Sequence, residues 1–205
     1  GNKVTPEKLR DAIKLINNKR RALNRLYSMR KLENLPISGR DVLLISQIAF
    51  YDDPERFTKM TNELCDELEQ RVKDGVNVAA KGSKRIMLTG TPLAIPNWKL
   101  HHIIETSGAN VVAEEMCTGT RYFENLVDET GTTLDEQIMA LAERYMNINC
   151  ACFTPNDGRI DDILRLKEEY KADGVVDVNL KFCSTYDIEG YKVERALKKA
   201  GIPVL

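Results

Sequence analysis

The sequence predicts an α/β fold: a doubly wound parallel sheet of about four strands, preceded by a helical segment. Two observations carry this. Up to about residue 80 the apolar residues recur at helical spacing, and from residue 83 short apolar runs alternate with amphipathic stretches. Alternating strand and helix implies a parallel sheet with helices on both faces, joined by right-handed crossovers. Lys81-Gly82-Ser83-Lys84 is the polar hinge between the two styles. The expected organisation is a helical segment over 1–80 and a Rossmann-like (flavodoxin-like) lobe over 83–205.

Each element has a local reason. Thr5-Pro6-Glu7 is a helix start, with a hydroxyl cap, a proline in the first turn and then an acid. Leu9, Ile13, Ile16, Leu23 and Leu26 follow at helical spacing, and Leu35-Pro36-Ile37-Ser38-Gly39 breaks the pattern. A second helix is expected from about Arg40 to Phe50. A third starts at Asp52-Asp53-Pro54-Glu55 and stops near Asp74-Gly75. Strands are expected at Arg85–Thr89, Asn110–Glu114 and Gly174–Val178, with Ile202-Pro203-Val204-Leu205 beginning a fourth. Between them, helices are expected from Asn97 to Ile104, Leu134 to Tyr145, Arg159 to Tyr170 and Ile188 to Ala200. Ile148–Phe153 reads as a short extended segment. The chain stops inside its last strand, so the expectation is a lobe truncated at its C-terminus, a fragment of a longer protein.

Composition excludes several classes. The 205 residues are 42% apolar and 30% charged, with a formal net charge of -1. That balance gives no reason to expect nucleic acid or an anionic membrane as partner. No stretch is apolar enough to span a bilayer, and the polar N-terminus is not a secretory signal. Five cysteines without a disulfide-like spacing point to reduced thiols or metal ligands.

The cysteines are the most informative residues. Cys117 and Cys183 each follow an apolar run, and Cys150 and Cys152 follow a helix. In a parallel sheet such points converge at one edge, where ligands bind. Thiolates meeting there suit a soft metal or an iron–sulfur cluster. The alternative is small buried residues at crowded sheet ends. The spacing Cys150-x-Cys152 followed by thirty residues to Cys183 is not a paired C-x-x-C pattern, so it is neither a zinc ribbon nor a redox dithiol motif. Alternation along an extended segment favours Cys152 over Cys150 as a ligand. Cys65, inside the third helix, reads as a core residue.

Around the cysteines, Cys117-Thr118-Gly119-Thr120-Arg121-Tyr122 offers a thiol, hydroxyls, a flexible glycine and a cation together. Arg121 can stabilise a cluster thiolate, or serve as a surface salt-bridge partner. Glu114 and Glu115 end a strand and reach toward the rim as acid, base or hydrogen-bond partner, or form a solvated pair. Lys181, Ser184 and Tyr186 flank Cys183 as donors to sulfur. Thr89-Gly90-Thr91-Pro92 lacks both the dinucleotide and the Walker glycine pattern. His101 and His102 lie mid-helix and read as packing or solvent-facing residues.

Several motifs in order resemble the 2-hydroxyacyl-CoA dehydratase family, which includes benzoyl-CoA reductase subunits and double-cubane cluster proteins. They are Thr91-Pro92-Leu93-Ala94-Ile95-Pro96-Asn97-Trp98-Lys99-Leu100, Glu114-Glu115-Met116-Cys117-Thr118-Gly119-Thr120-Arg121-Tyr122-Phe123, Cys150-Ala151-Cys152-Phe153-Thr154-Pro155-Asn156, Lys181-Phe182-Cys183-Ser184-Thr185-Tyr186 and Glu189-Gly190-Tyr191-Lys192-Val193-Glu194. The resemblance spans nearly the whole chain and corresponds to the family's later lobe.

It implies an iron–sulfur cluster, [4Fe-4S] or double-cubane, held between two lobes. It implies Cys117, Cys150, Cys152 and Cys183 as candidate ligands, and Thr118, Gly119, Lys181 and Ser184 as residues beside the cofactor. Glu115 and Arg121 become the catalytic candidates. It also implies a homologous partner subunit or second copy, a separate ATP-hydrolysing activator, an acyl-CoA substrate and the cytoplasm of an anaerobe. The activator's electron generates a ketyl radical that expels the hydroxyl. Because the family's first lobe supplies ligands and is missing here, the fragment alone is expected to hold no cluster and to be inactive. The surplus of cysteines in one lobe also fits a double-cubane reductase of small molecules. A non-catalytic partner subunit is a further alternative.

Overall fold

The computed structural model describes residues 3–205. Helix α1 (Pro6–Ser28) begins as its sequence dictates: Thr5 Oγ1 accepts from the Lys8 amide at 3.4 Å, with Pro6 in the first turn. A 3-10 turn, Met29–Lys31, follows. Helix α2 (Gly39–Ile48) is capped by Ser38, and α3 (Pro54–Lys73) by Asp53, whose carboxylate accepts from the amides of Glu55 and Arg56.

The sheet has three parallel strands, β1 (Lys84–Gly90), β2 (Ala109–Glu115) and β3 (Gly174–Val178), in the order β2-β1-β3. Helix α4 (Lys99–Thr106) links β1 to β2. A short α5 (Thr120–Phe123), then α6 (Leu134–Met146) and α7 (Gly158–Glu169), lie between β2 and β3. Helix α8 (Ser184–Lys199) follows β3.

Strand residues alternate between the two faces except at a register shift in β2, where Val111 pairs with Ile86 and Ala113 with Met87, and each face is buried. Met87, Val112, Ala113 and Val175 pack with Leu26, Phe57, Cys65, Ile163 and Val193, so α1 and α3 share a core with α7 and α8. On the other face Leu88 and Val111 pack with Leu43, Leu93 and Met116. The mixed α/β class with a parallel sheet is therefore present.

Three details differ from expectation. The fourth strand is a single parallel bridge, Val204 beside Val175, with Leu205 N donating to Val175 O at 3.1 Å. Pro203 has no N–H to extend the ladder. Ile148–Phe153 is not extended, so alternation along it does not select Cys152 over Cys150 as a ligand. It turns twice, with Cys150 N donating to Ile148 O and Phe153 N to Cys150 O, both at 2.9 Å. No neighbouring strand is available to hold it straight. Helix α8 starts at Ser184 rather than Ile188, which makes Cys183 its N-cap.

Candidate functional site

Parallel strands deliver their following loops to one edge, and this sheet does so with its cysteines. Cys117 lies two residues past β2, and Cys183 ends the β3 loop at the positive end of α8. The turn after α6 carries Cys150 and Cys152 to the same place. Cys117 and Cys150 are joined through one pair of donors: the Tyr186 hydroxyl lies 3.7 Å from Cys150 Sγ and Arg121 Nη1 3.9 Å from Cys117 Sγ. Cys117 and Cys152 are exposed, and Cys150 and Cys183 are half-buried. Cys65 lies elsewhere, wholly buried in the core, where burial pushes its thiol up to about 11.

The hydrogen bond from Cys117 pulls Cys150 toward thiolate against the effect of burial. The Cys152 amide and the Tyr186 hydroxyl, 3.7 Å from Cys150 Sγ, add to the pull. The same shared bond, with burial, pushes Cys117 up, opposed by the charge of Arg121. Arg121 Nη1 stands 3.9 Å from Cys117 Sγ and also donates to the Tyr186 hydroxyl. Burial and the thiol neighbours keep Tyr186 protonated, so it is a donor.

A buried charge network holds these donors. Arg121 Nη2 donates to the Glu115 carboxylate at 2.8 Å and to its carbonyl at 3.0 Å. Arg159, fully buried, reaches Glu115 at 3.3 Å and Thr89 Oγ1 at 3.0 Å, and pairs with Glu189. Both guanidiniums lie near the Tyr186 ring, at 5.4 Å for Arg121 and 4.9 Å for Arg159. Two cations close to one ring hold it in place as well as packing against it.

This arrangement assigns places to the remaining candidates. Glu115 is buried and its oxygens are occupied by Thr89, Arg121 and Arg159, so it serves as a counterion beneath the rim. Glu114 is on the other sheet face, fully buried between Arg30 and His101. Thr118 Oγ1 accepts from the Leu93 amide at 3.3 Å, beside Cys117. Gly119 fits tightly because a Cβ there would lie 2.2 Å from Glu114 O. Lys181 lies over the Phe182 ring, Ser184 is exposed, and Phe182 itself is 92% exposed in the left-handed region. His101 is buried and His102 exposed, both away from the rim.

Sequence reasoning did not find Arg30 or Arg159. A lone basic residue at a helix end gives no sign of burial. Gln47 was also missed; it lines a 280 Å³ cavity beside Cys117.

Among the described residues, no three His, Cys, Asp or Glu side chains converge closely enough to hold a single metal ion. A cluster makes a different demand, since each thiolate binds its own iron. The donor set fits that demand: four thiol positions at one rim, one of them drawn toward thiolate, with Tyr186 and Arg121 donating to sulfur.

The fold and the rim define a class: a parallel α/β lobe whose strand-end loops gather soft donors over a buried charge network. The chain belongs to the 2-hydroxyglutaryl-CoA dehydratase, D-component family, whose model matches residues 1–205. It is 35% identical over 200 residues to YjiM of Escherichia coli (strain K12), provisionally assigned as a dehydratase subunit, covering 97% of this chain and 51% of that protein. It is 25% identical over 204 residues to the (R)-phenyllactyl-CoA dehydratase beta subunit of Clostridium sporogenes, covering 99% and 52%. With a benzoyl-CoA reductase subunit of Thauera aromatica it shares 27% identity over 186 residues, covering 89% and 46%. The chain thus spans about half the length of the curated relatives it matches. No helix is long and apolar enough to cross a membrane among the described residues.

Proposed function

We propose that this chain is the cluster-holding later lobe, over residues 83–205 with its helical segment 1–80, of a 2-hydroxyacyl-CoA dehydratase-type lyase subunit. The single observation that carries this is the placing of Cys117 and Cys150 on one strand-end rim, joined through Arg121 and Tyr186, with Cys152 two residues on and Cys183 at the start of α8, which also carries Tyr186. These thiols would hold an iron–sulfur cluster shared with a second lobe. When bound, such a cluster supplies a low-potential electron and Lewis-acidic iron, chemistry that proton transfer alone does not provide for loss of a 2-hydroxyl.

The chain's own residues set the conditions. Tyr186 donates to Cys150 sulfur and Arg121 stands beside Cys117, both offsetting negative charge on sulfur. Glu115 and Arg159 fix Arg121 and Tyr186. The relatives named as dehydratase and reductase subunits support a homologous partner chain. An ATP-dependent activator and a cytoplasmic setting complete the reading. The fourth thiol, Cys152, exposed beside the other three, favours a double-cubane reductase as the second reading.

Turnover tests the first reading. The full-length protein, reconstituted anaerobically with its partner subunit, activator and ATP, converts a 2-hydroxyacyl-CoA to the enoyl-CoA. The Cys150→Ser variant does not. Equal turnover by that variant would refute the assignment.

A further inference from the structure

Helix α6 presents an apolar stripe to solvent. Ile138 and Tyr145 are each 51% exposed, Met139 61% and Met146 67%, and Ala142 between them is exposed too. All five lie within about 60° of one line along the helix. That line is opposite Gln137, Ala140 and Arg144, which the fold buries. A contiguous exposed apolar face of this kind marks an interaction surface.

The stripe is symmetric about Ala142. Ile138 and Met139 stand four and three residues before it, and Tyr145 and Met146 three and four after it. Turned over about a two-fold axis at Ala142, the helix therefore matches itself. Ile138 then meets the second copy's Met146, Met139 meets its Tyr145, and the two alanines meet at the crossing. Small residues there let the axes approach to about 8 Å.

The two ends of the stripe carry opposite charge. Asp135 is exposed in the first turn. At the other end Arg20 and Arg144, 2% and 6% exposed, flank the Tyr145 ring at 5.8 and 4.8 Å. Their hydrogen bonds go to neutral acceptors: Asn17 and Tyr145 for Arg20, and the carbonyls of Asn125, Arg121 and Tyr122 for Arg144. Among the described residues none of the three charges belongs to an ion pair. Buried cations are ordinarily paired.

We propose that α6 is the two-fold contact of a homodimer, packed antiparallel against the α6 of a second copy across Ala142. Asp135, one turn beyond Ile138, then reaches the Tyr145 end of the other copy. The Tyr145 hydroxyl accepts from Arg20 at 3.0 Å and keeps its own proton to donate to that carboxylate. The same carboxylate offsets Arg20 and Arg144, and the helix dipoles run head to tail. The contact is isologous, so it closes at two copies. It buries on the order of 1,000 Å² in the pair, about the least a specific interface uses, so the dimer depends on concentration. The proposal rests on this face alone and needs neither a cluster nor dehydratase chemistry.

Sedimentation velocity of the full-length, cluster-free, reduced protein over a concentration series reads the dimer. Met139→Glu and Asp135→Lys each weaken it about tenfold or more. Glu143→Lys, on the same helix but off the stripe, changes it less than about twofold. All three positions are exposed, so circular dichroism spectra stay unchanged. With diamide, Ala142→Cys cross-links to the same position of the second copy, mapped by mass spectrometry. A monomer at every concentration, a dimer indifferent to Met139→Glu, equal weakening by Glu143→Lys, absence of that cross-link, or association only with a homologous partner subunit would overturn the proposal.

Discussion

Arg30 and Glu114, 84 positions apart, form a bidentate ion pair with no solvent exposure on either side, at 2.9 and 2.7 Å. His101 Nε2 meets the same carboxylate at 2.9 Å, and Arg30 lies over the Tyr27 ring at 4.2 Å. The pair ties the 3-10 turn after α1 to strand β2, one residue before the Glu115 that anchors Arg121. Removing one partner strands a buried charge. Arg30→Met therefore costs about 3–5 kcal/mol, read as a lower urea midpoint with an unchanged slope.

The same carboxylate gives a pH signature. Burial pushes Glu114 up, but the charge of Arg30 and the hydrogen bonds from His101 and Arg30 prevail and hold it well below its ordinary 4.5. A carboxyl depressed in the folded state stabilises above its unfolded pKa and loses that contribution as pH falls. Stability should be flat in this respect above about pH 5 and decline below about 4.5, as Glu114 lags behind the protonating unfolded chain. In Glu114→Gln the acid slope of the unfolding free energy should flatten. An identical slope would assign acid lability elsewhere.

Gly90 has φ 112°, and a Cβ there would lie 2.3 Å from Val178 O. Only glycine fits where β1 turns toward the cavity loop. Gly90→Ala should lower stability by more than about 1 kcal/mol, measured by thermal unfolding.

Thiol reactivity should sort by position. In the folded, cluster-free protein at neutral pH, iodoacetamide should label Cys150 first, because it is half-buried but drawn toward thiolate, then exposed Cys117 and Cys152, and spare Cys65, which is wholly buried with its thiol pushed up to about 11. Mass spectrometry before and after urea unfolding checks this. Labelling of Cys65 at the rate of the others would contradict the core placement.

Much of the fold was legible in the sequence because it is local. Thr5, Asp53 and the apolar runs of β1 and β3 each announce an element through capping or pattern. The convergence of the cysteines follows from parallel topology, which alternation of elements implies. What was not legible is pairing at a distance. Nothing near Arg30 or Arg159 in sequence says that each will be buried against a carboxylate from another element. Ile148–Phe153 has the composition of a strand, but a strand also needs a neighbour, and that is a property of the whole fold. Glu115 was legible as a rim residue but not as a buried counterion, since its partners come from three elements.

The hydrogen bond to Cys150 should be visible in the cluster's potential. Tyr186→Phe removes a donor that favours the more negative, reduced state. The midpoint should fall by about 40 mV, the one-electron equivalent of a hydrogen bond worth about 1 kcal/mol.

The most direct measurement is iron and acid-labile sulfide per chain in the full-length protein after anaerobic reconstitution, with electron paramagnetic resonance of the reduced form. The account predicts a brown protein with about four irons per cubane, and loss of most of that iron and of the signal in Cys117→Ala/Cys150→Ala. A colourless wild-type protein, or a double variant that binds iron and sulfide as the wild type does, would contradict it.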